Sequence, residues 1–271
     1  DDGYIEVQKH GGFFDRQFEG RVVEIHTTRG PVNGVVVIPS NHLRRGLGDD
    51  GGTYTVEDVV IDVGATTRAE AENLGIALLD SITVPKTVTP LANGRYAARS
   101  MDDRFGCAAL VSLASRIDPR GLQGTLTLAW SAQEEVGLRG AAALAAEFSP
   151  DAVIPIDMYA TSDSPIESKR VGYAVLGQGP VIRALDASHM APIDYVRRLM
   201  AFAQGHGLAL RYGATMGGND GSTFRNGRSR VIPIGIPIRY SHSAVETIDS
   251  RDQVGLVDLL EAMVEDLSWL Q

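Results

Sequence analysis

The sequence predicts an α/β protein of two domains, and three observations carry that expectation. The first third is rich in β-branched residues and punctuated by glycine. After Asn93-Gly94 the pattern changes to strands alternating with helices, as in a sheet with helices on its faces. Finally, acidic and histidine side chains fall just past the ends of apolar segments. With 271 residues, one large domain or two modest ones are expected, and the change of pattern places a β-rich domain over residues 1–90 and an α/β domain over 91–271.

Taken in order, residues 21–26 (RVVEIH) and 32–38 (VNGVVVI) are short β-branched runs separated by Arg29-Gly30-Pro31, which reads as a hairpin. Residues 59–63 and 81–88 continue the strand pattern, with a short helical stretch over 67–74 between them. Residues 46–53 (GLGDDGGT) read as a mobile surface loop. Beyond the boundary, residues 103–117 are expected as a helix ending before Asp118-Pro119, with Cys107 on its inner side. Residues 125–131 (TLTLAWS) read as a buried strand, and 138–148 as an Ala-rich helix stopped at Ser149-Pro150. A strand over 152–156, a helix over 192–205 and a strand over 208–212 follow. The run 231–238 carries Pro233 and Pro237, so an edge or irregular strand is expected there. Val254, Val257, Glu261, Val264 and Leu267 recur at the spacing of an amphipathic C-terminal helix.

Composition narrows the function. Hydrophobic residues make up 44% and charged residues 22%, close to the globular average, and no apolar run approaches the ~18 residues of a spanning helix. The net charge of -9, from 25 Lys+Arg against 34 Asp+Glu, gives no general attraction to nucleic acid or anionic membranes, so neither is expected as a partner. One cysteine leaves neither an internal disulfide nor a thiolate metal cluster, so any metal must be held by His and carboxylates. There is no signal peptide, the expected location is cytoplasmic, and because the chain opens Asp1-Asp2-Gly3 an upstream segment is expected.

The chemistry-bearing residues sit past the apolar segments. Asp102-Asp103 follow residues 95–100, Glu134-Glu135 follow 125–131, Asp157 follows 152–156 and His242 follows 231–238. Strand ends line the crevice of an open α/β sheet, so these side chains are expected to converge. Carboxylates ~4 Å apart in a partly dry crevice repel strongly, and a divalent cation relieves that repulsion. Oxygen ligands with one or two imidazoles suit Zn, Co or Mn. Of the adjacent glutamates, one can bind metal while the other acts as general base. Asp103 is expected to cap the helix at 103–117. His10, His26, His42, His189 and His206 read as structural or exposed, and Gly217-Gly218 as a close-approach turn before Asn219-Asp220.

Four motifs in this order and spacing, MDDRFGC from Met101, QEEVGLRGA from Gln133, GGND from Gly217 and RYSHS from Arg239, resemble the M42 family of metal-dependent aminopeptidases. The resemblance spans nearly the whole chain, and QEEVGLRGA is its most specific element. It implies a mixed-sheet catalytic domain carrying two divalent metal ions per subunit, most often Zn, with a small PDZ-like β-rich domain for oligomerisation. Carried over by position, Asp102 resembles the carboxylate bridging both metals and Glu134 the general base. Glu135 and His242 resemble the ligands completing one site, and Asp157 a ligand of the other. The family's first histidine, in a His-x-Asp motif, has no counterpart here, so that ligand is expected upstream of Asp1. Asn219, Ser241 and Ala244 also depart from the common pattern. The expected function is removal of the amino-terminal residue from peptides by a two-metal-activated water, in a homo-oligomer of dimers building a dodecamer. The alternatives are a deacylase on the same scaffold, or an inactive oligomeric scaffold, against which retention of Glu134 argues.

Overall fold

The computed structural model describes residues 2–40, 42–43, 55–224 and 227–271, and the chain divides into two compact units, Asp1–Thr87 and Val88–Gln271. The expected loop over 46–53 lies outside the described residues.

The first unit is an antiparallel sheet in the order β1-β4-β3-β2-β5, made of β1 (Ile5–Glu6), β2 (Val22–Thr27), β3 (Gly30–Val36), β4 (Val60–Asp62) and β5 (Ser81–Thr83). The hairpin is present, with Thr27 opposite Gly30 and Val22 opposite Val35. Alternation along β2 sends Val23 and Ile25 inward, where they form a core with Val36, Val59 and Ile61. Helix α1 (Arg68–Asn73) begins at Thr67, whose side chain accepts from the Glu70 backbone N–H at 3.2 Å. Glu70 in turn accepts from the Thr66 N–H at 2.7 Å, so the first turn satisfies its orphan donors reciprocally.

The second unit comprises β6 (Thr89–Leu91), β7 (Arg95–Ala98), α2 (Arg104–Arg116), α3 (Arg139–Glu147), β8 (Ala152–Val153), β9 (Tyr159–Ala160), β10 (Val181–Leu185), α4 (Ile193–Gly205), β11 (Arg211–Ala214), β12 (Arg230–Val231), β13 (Ile234–Gly235), β14 (Pro237–Ile238), β15 (Glu246–Asp249) and α5 (Ser250–Glu265). Its spine is the run 230–238, in which Ile232, Ile234, Ile236 and Ile238 are all fully buried. Phe105, Ala109 and Leu113 of α2, Val196 and Leu199 of α4, and Leu256, Leu259 and Leu260 of α5 pack with them in one core. Truncating any of those isoleucines to Ala is expected to cost about 2–5 kcal/mol. No helix among the described residues is long and apolar enough to cross a membrane.

Several expectations need refinement or correction. Of the two readings for the run 231–238, the irregular strand is the one present, broken at Pro233 and Pro237, and it is interior, not an edge. Ile232 and Ile234 donate to the Val153 and Pro155 carbonyls on one side, while on the other β13 pairs antiparallel with β10. The nitrogens of 233 and 237 alternate to that second side, where the ladder is broken into short pieces. Residues 125–131 form no strand: none among the described residues lies alongside, and although Leu128 packs on the core, Leu126 and Trp130 are 37% and 50% exposed. Apolar content promises burial only where a second layer exists to cover it. Cys107 faces outward, because the inner face of α2 is taken by Phe105, Gly106, Ala109 and Leu113. In α5 the buried stripe is Asp252, Leu256, Val257, Leu259, Leu260 and Met263, so Val257 is buried as expected while Val254 is 54% exposed. The strand expected over 152–156 is present but reduced to β8 and an isolated Ile156–Ile234 bridge, and that expected over 208–212 is shifted to β11.

Candidate metal centre

Asp102 lies beyond the end of β7, after Met101 and the left-handed Ser100, and its side chain is only 7% exposed. The following peptide, Asp102–Asp103, is cis. Asp103 caps α2 by accepting from the Gly106 N–H at 3.1 Å, leaving Asp102 free of the capping role. Position 106 must be glycine for this cap, since a Cβ there would fall 2.2 Å from an Asp103 carboxylate oxygen.

Glu134 and Glu135 occupy a short 3-10 turn, Glu134–Val136, bracketed by Gln133, Gly137 and Leu138, all at positive φ. These reversals turn the chain between residue 132 and α3. His242 follows β14 in another sharply turned segment, with Tyr240 and His242 both at φ 59°.

Asp102, Glu135 and His242 converge, their ligand atoms all lying within 4.8 Å of one another. His242 Nε2 is 3.4 Å from Asp102 Oδ2 and 3.5 Å from Glu135 Oε2. Its hydrogen bond to Asp102, helped by the Glu135 charge and opposed by burial, pushes the imidazole up to about 9. Beside them, burial and then the charges of Glu135, Asp220 and Asp102 push Glu134 up to about 7.

Sequence reasoning missed the residue that joins these segments. Glu246, at the start of β15 opposite Ala98 of β7, is 2% exposed. One carboxylate oxygen accepts from the Asp102 N–H at 3.0 Å and the other from the His242 N–H at 2.7 Å. Burial pushes its pKa up, and these backbone donors pull the other way. Nothing in the sequence ETID of β15 marks Glu246 out, because its partners are 144 and 4 residues away.

Asp157 stands outside the three-residue cluster. Its Oδ2 accepts from Arg183 Nη1 at 2.6 Å and its Oδ1 from the Met158 N–H at 2.6 Å. It is nonetheless close enough that Asp102 and Glu134 repel its charge. Its backbone is packed hard against β13: a Cβ at Gly235 would lie 1.6 Å from the Asp157 carbonyl oxygen. Asp220 accepts a short hydrogen bond from Ser131 Oγ, three residues before Glu134. Asn219 is fully buried and holds its own turn, accepting from the Gly221 N–H at 2.9 Å.

The other histidines take no part. His26 bonds Thr83 Oγ1 at 2.8 Å, His189 the Val231 carbonyl at 3.0 Å, and His206 stacks on Phe202. Two carboxylates and an imidazole converging in a half-buried pocket fit a divalent cation, because the His242 proton would otherwise be the only charge relieving their repulsion.

The model of the M42 glutamyl aminopeptidase family matches residues 1–259. The lysyl aminopeptidase of Pyrococcus furiosus is 29% identical over 276 residues, with 98% of this chain and 76% of that protein covered. A TET1 peptidase solved as a dodecamer is 35% identical with a TM-score of 0.87, covering 97% of this chain and 77% of that one. The TET1 peptidase of Pyrococcus horikoshii, which can assemble into a tetrahedron or a large octahedral shell, is 36% identical with a TM-score of 0.88 over the same shares. This chain therefore shares the mixed α/β fold of those peptidases.

Proposed function

Because this chain belongs to the M42 glutamyl aminopeptidase family of metal-dependent hydrolases, we propose that it removes amino-terminal residues from peptides with the help of two divalent cations. Asp102, Glu135 and His242 would hold one, and Asp102 with Asp157 the other, Zn being the expected ion and Co or Mn the substitutes. Bound there, divalent cations supply Lewis acidity: they make water a stronger acid and polarise the scissile carbonyl. Glu134, held near neutrality by burial and by its acidic neighbours, takes the proton of the attacking water and returns it to the leaving amine. The acidic cluster also draws the cationic amino terminus of a peptide toward the crevice.

The observation that carries this reading is the convergence of Asp102, Glu135 and His242 with a half-buried Glu134 adjacent to Glu135. A deacylase would share these residues and differ in its pocket, and nothing in the geometry favours it. A panel of aminoacyl-p-nitroanilides, assayed after adding Zn, Co or Mn to chelator-treated protein, tests the proposal. Metal-dependent release of p-nitroaniline from free-amine substrates is expected, and turnover restricted to N-acetylated substrates would replace aminopeptidase by deacylase.

We read residues 1–90 as a PDZ-like unit through which copies associate into dimers and then a dodecamer, a reading supported by the shell-forming relatives. Light scattering should return a mass far above 29.0 kDa, and a clean monomer at micromolar concentration would count against it.

A further inference from the structure

Arg183 is the largest fully buried side chain of the described residues, a 0% exposed guanidinium in the middle of β10 between core residues and the acidic cluster. A charge so placed is tolerated only when it is paired, and here both terminal nitrogens find partners while the buried Nε has none among the described residues. Nη1 donates to Asp157 Oδ2 at 2.6 Å and to the Met158 carbonyl at 2.9 Å. Nη2 donates to the Gly218 carbonyl at 2.7 Å and sits 3.1 Å from Asp186 Oδ2. The planar fork thus spans two acids and two carbonyls, a pattern that a lysine ammonium cannot reproduce.

The two acids are held differently. Asp186 is anchored without Arg183: its Oδ1 accepts from the Ser188 N–H and Oγ and the His189 N–H, and its Oδ2 from Asn219 Nδ2, all between 2.7 and 2.9 Å. Asp157 has only Arg183 and the Met158 N–H, one on each oxygen. An ionised carboxylate offers roughly four acceptor directions, so about two remain open on Asp157. Asp186 and the Gly218 carbonyl fix the guanidinium from behind, and the guanidinium fixes the rotation of the Asp157 carboxylate in front.

We propose that Arg183 is a positioning residue for the second cation, locking the Asp157 carboxylate so that its open lone pairs face the crevice and tying it to the Gly217-Gly218-Asn219 turn. The inference rests on the reading of Asp157 as a cation ligand. Outer partners that orient a ligand typically alter metal affinity 10–100-fold when removed.

The test uses Zn-loaded protein equilibrated against graded chelator, with Zn retained per chain counted by plasma mass spectrometry and kcat and KM measured on the same samples. Arg183→Lys keeps the charge and loses the fork. It should weaken one Zn by at least ~10-fold and leave the other unchanged. Its kcat should fall with KM nearly constant, and millimolar Zn should restore part of it, which a general loosening of the fold would not allow. Equal retention of both Zn ions in Arg183→Lys and wild type overturns the proposal. So does tighter binding in Arg183→Met, which would make the guanidinium a competing charge and not a positioner. Should Arg183→Lys fail to fold, Asp186→Asn loosens the same guanidinium from behind and is expected to lower one-Zn affinity by ~3-fold; unchanged affinity there overturns the proposal equally. Asp157→Asn is the control: if it holds both Zn ions as wild type does, the ligand reading itself falls and takes this inference with it.

Discussion

Around His242 an anion grips backbone, whereas around Asp157 a cation grips a side chain. Glu246 accepts from the N–H groups of Asp102 and His242, so it places the two segments but adds a third carboxylate to a pocket that already holds Asp102 and Glu135. Arg183 binds the Asp157 carboxylate directly and so neutralises it in place. The first half gathers negative charge, and the hydrogen bond to Asp102, helped by that charge, pushes its imidazole up to about 9. In the second half a single guanidinium already faces two acids, Asp157 and Asp186. On the proposed two-cation reading the cation at Asp157 would meet a carboxylate already held by Arg183 and bind less tightly, so a graded chelator should strip the two cations in separate steps.

The largest effect is expected where the halves meet. On the proposed assignment of Glu134 as base and not ligand, Glu134→Gln should retain both cations while kcat falls by at least ~10²-fold. A variant that keeps wild-type turnover would remove Glu134 from the mechanism.

Removal of single ligands sharpens the contrast further. Asp102→Ala should lose both cations and His242→Ala mainly one, since only a bridging carboxylate serves two ions. Equal stoichiometry in the two variants, read by plasma mass spectrometry, would end the bridging role.

Glu246→Gln probes the backbone grip alone. A carboxamide keeps one accepting oxygen but turns an NH2 toward a buried N–H, so a stability loss of about 1–3 kcal/mol is expected in urea unfolding. Because the grip spans His242 and the shared Asp102, the cation held by His242 should weaken the more, whereas Arg183→Lys should weaken mainly the other. If both variants loosen the same cation, the distinction between the halves fails.

The smallest effect concerns a buried acid away from both. Asp252 accepts from the Gly177 and Gly179 N–H groups at 2.7 and 2.6 Å, yet burial raises its pKa from about 3.8 to about 6. The folded state then binds this proton more tightly than the unfolded state. Its contribution to stability is complete below pH ~4, is lost as pH rises toward about 6, and is constant above. The slope should not exceed about 1.4 kcal/mol per pH unit. Asp252→Asn should flatten that part of the profile, and an unchanged slope in denaturant titrations between pH 4 and 6 would place the proton elsewhere.

Local chemistry was enough to read some of this protein from its sequence. The hairpin of β2 and β3, the Thr67 and Asp103 caps, the helices α2, α3 and α4 and the adjacency of Glu134 to Glu135 depend on near neighbours, and the spacing of four short motifs pointed to the family. Tertiary structure alone decided the rest, because burial and pairing are relations between distant segments. Residues 125–131 have a strand's composition but no neighbouring strand, and Cys107 and Val254 lie on the outer faces of helices whose orientation only packing fixes. Asp102 and His242 meet across 140 residues because Glu246 accepts from both backbones, and Asp157 is turned toward Arg183 because β10 lies beside the strand that follows it in space. A charge inside an apolar strand is visible in sequence, but the partner that makes its burial tolerable is chosen by the fold.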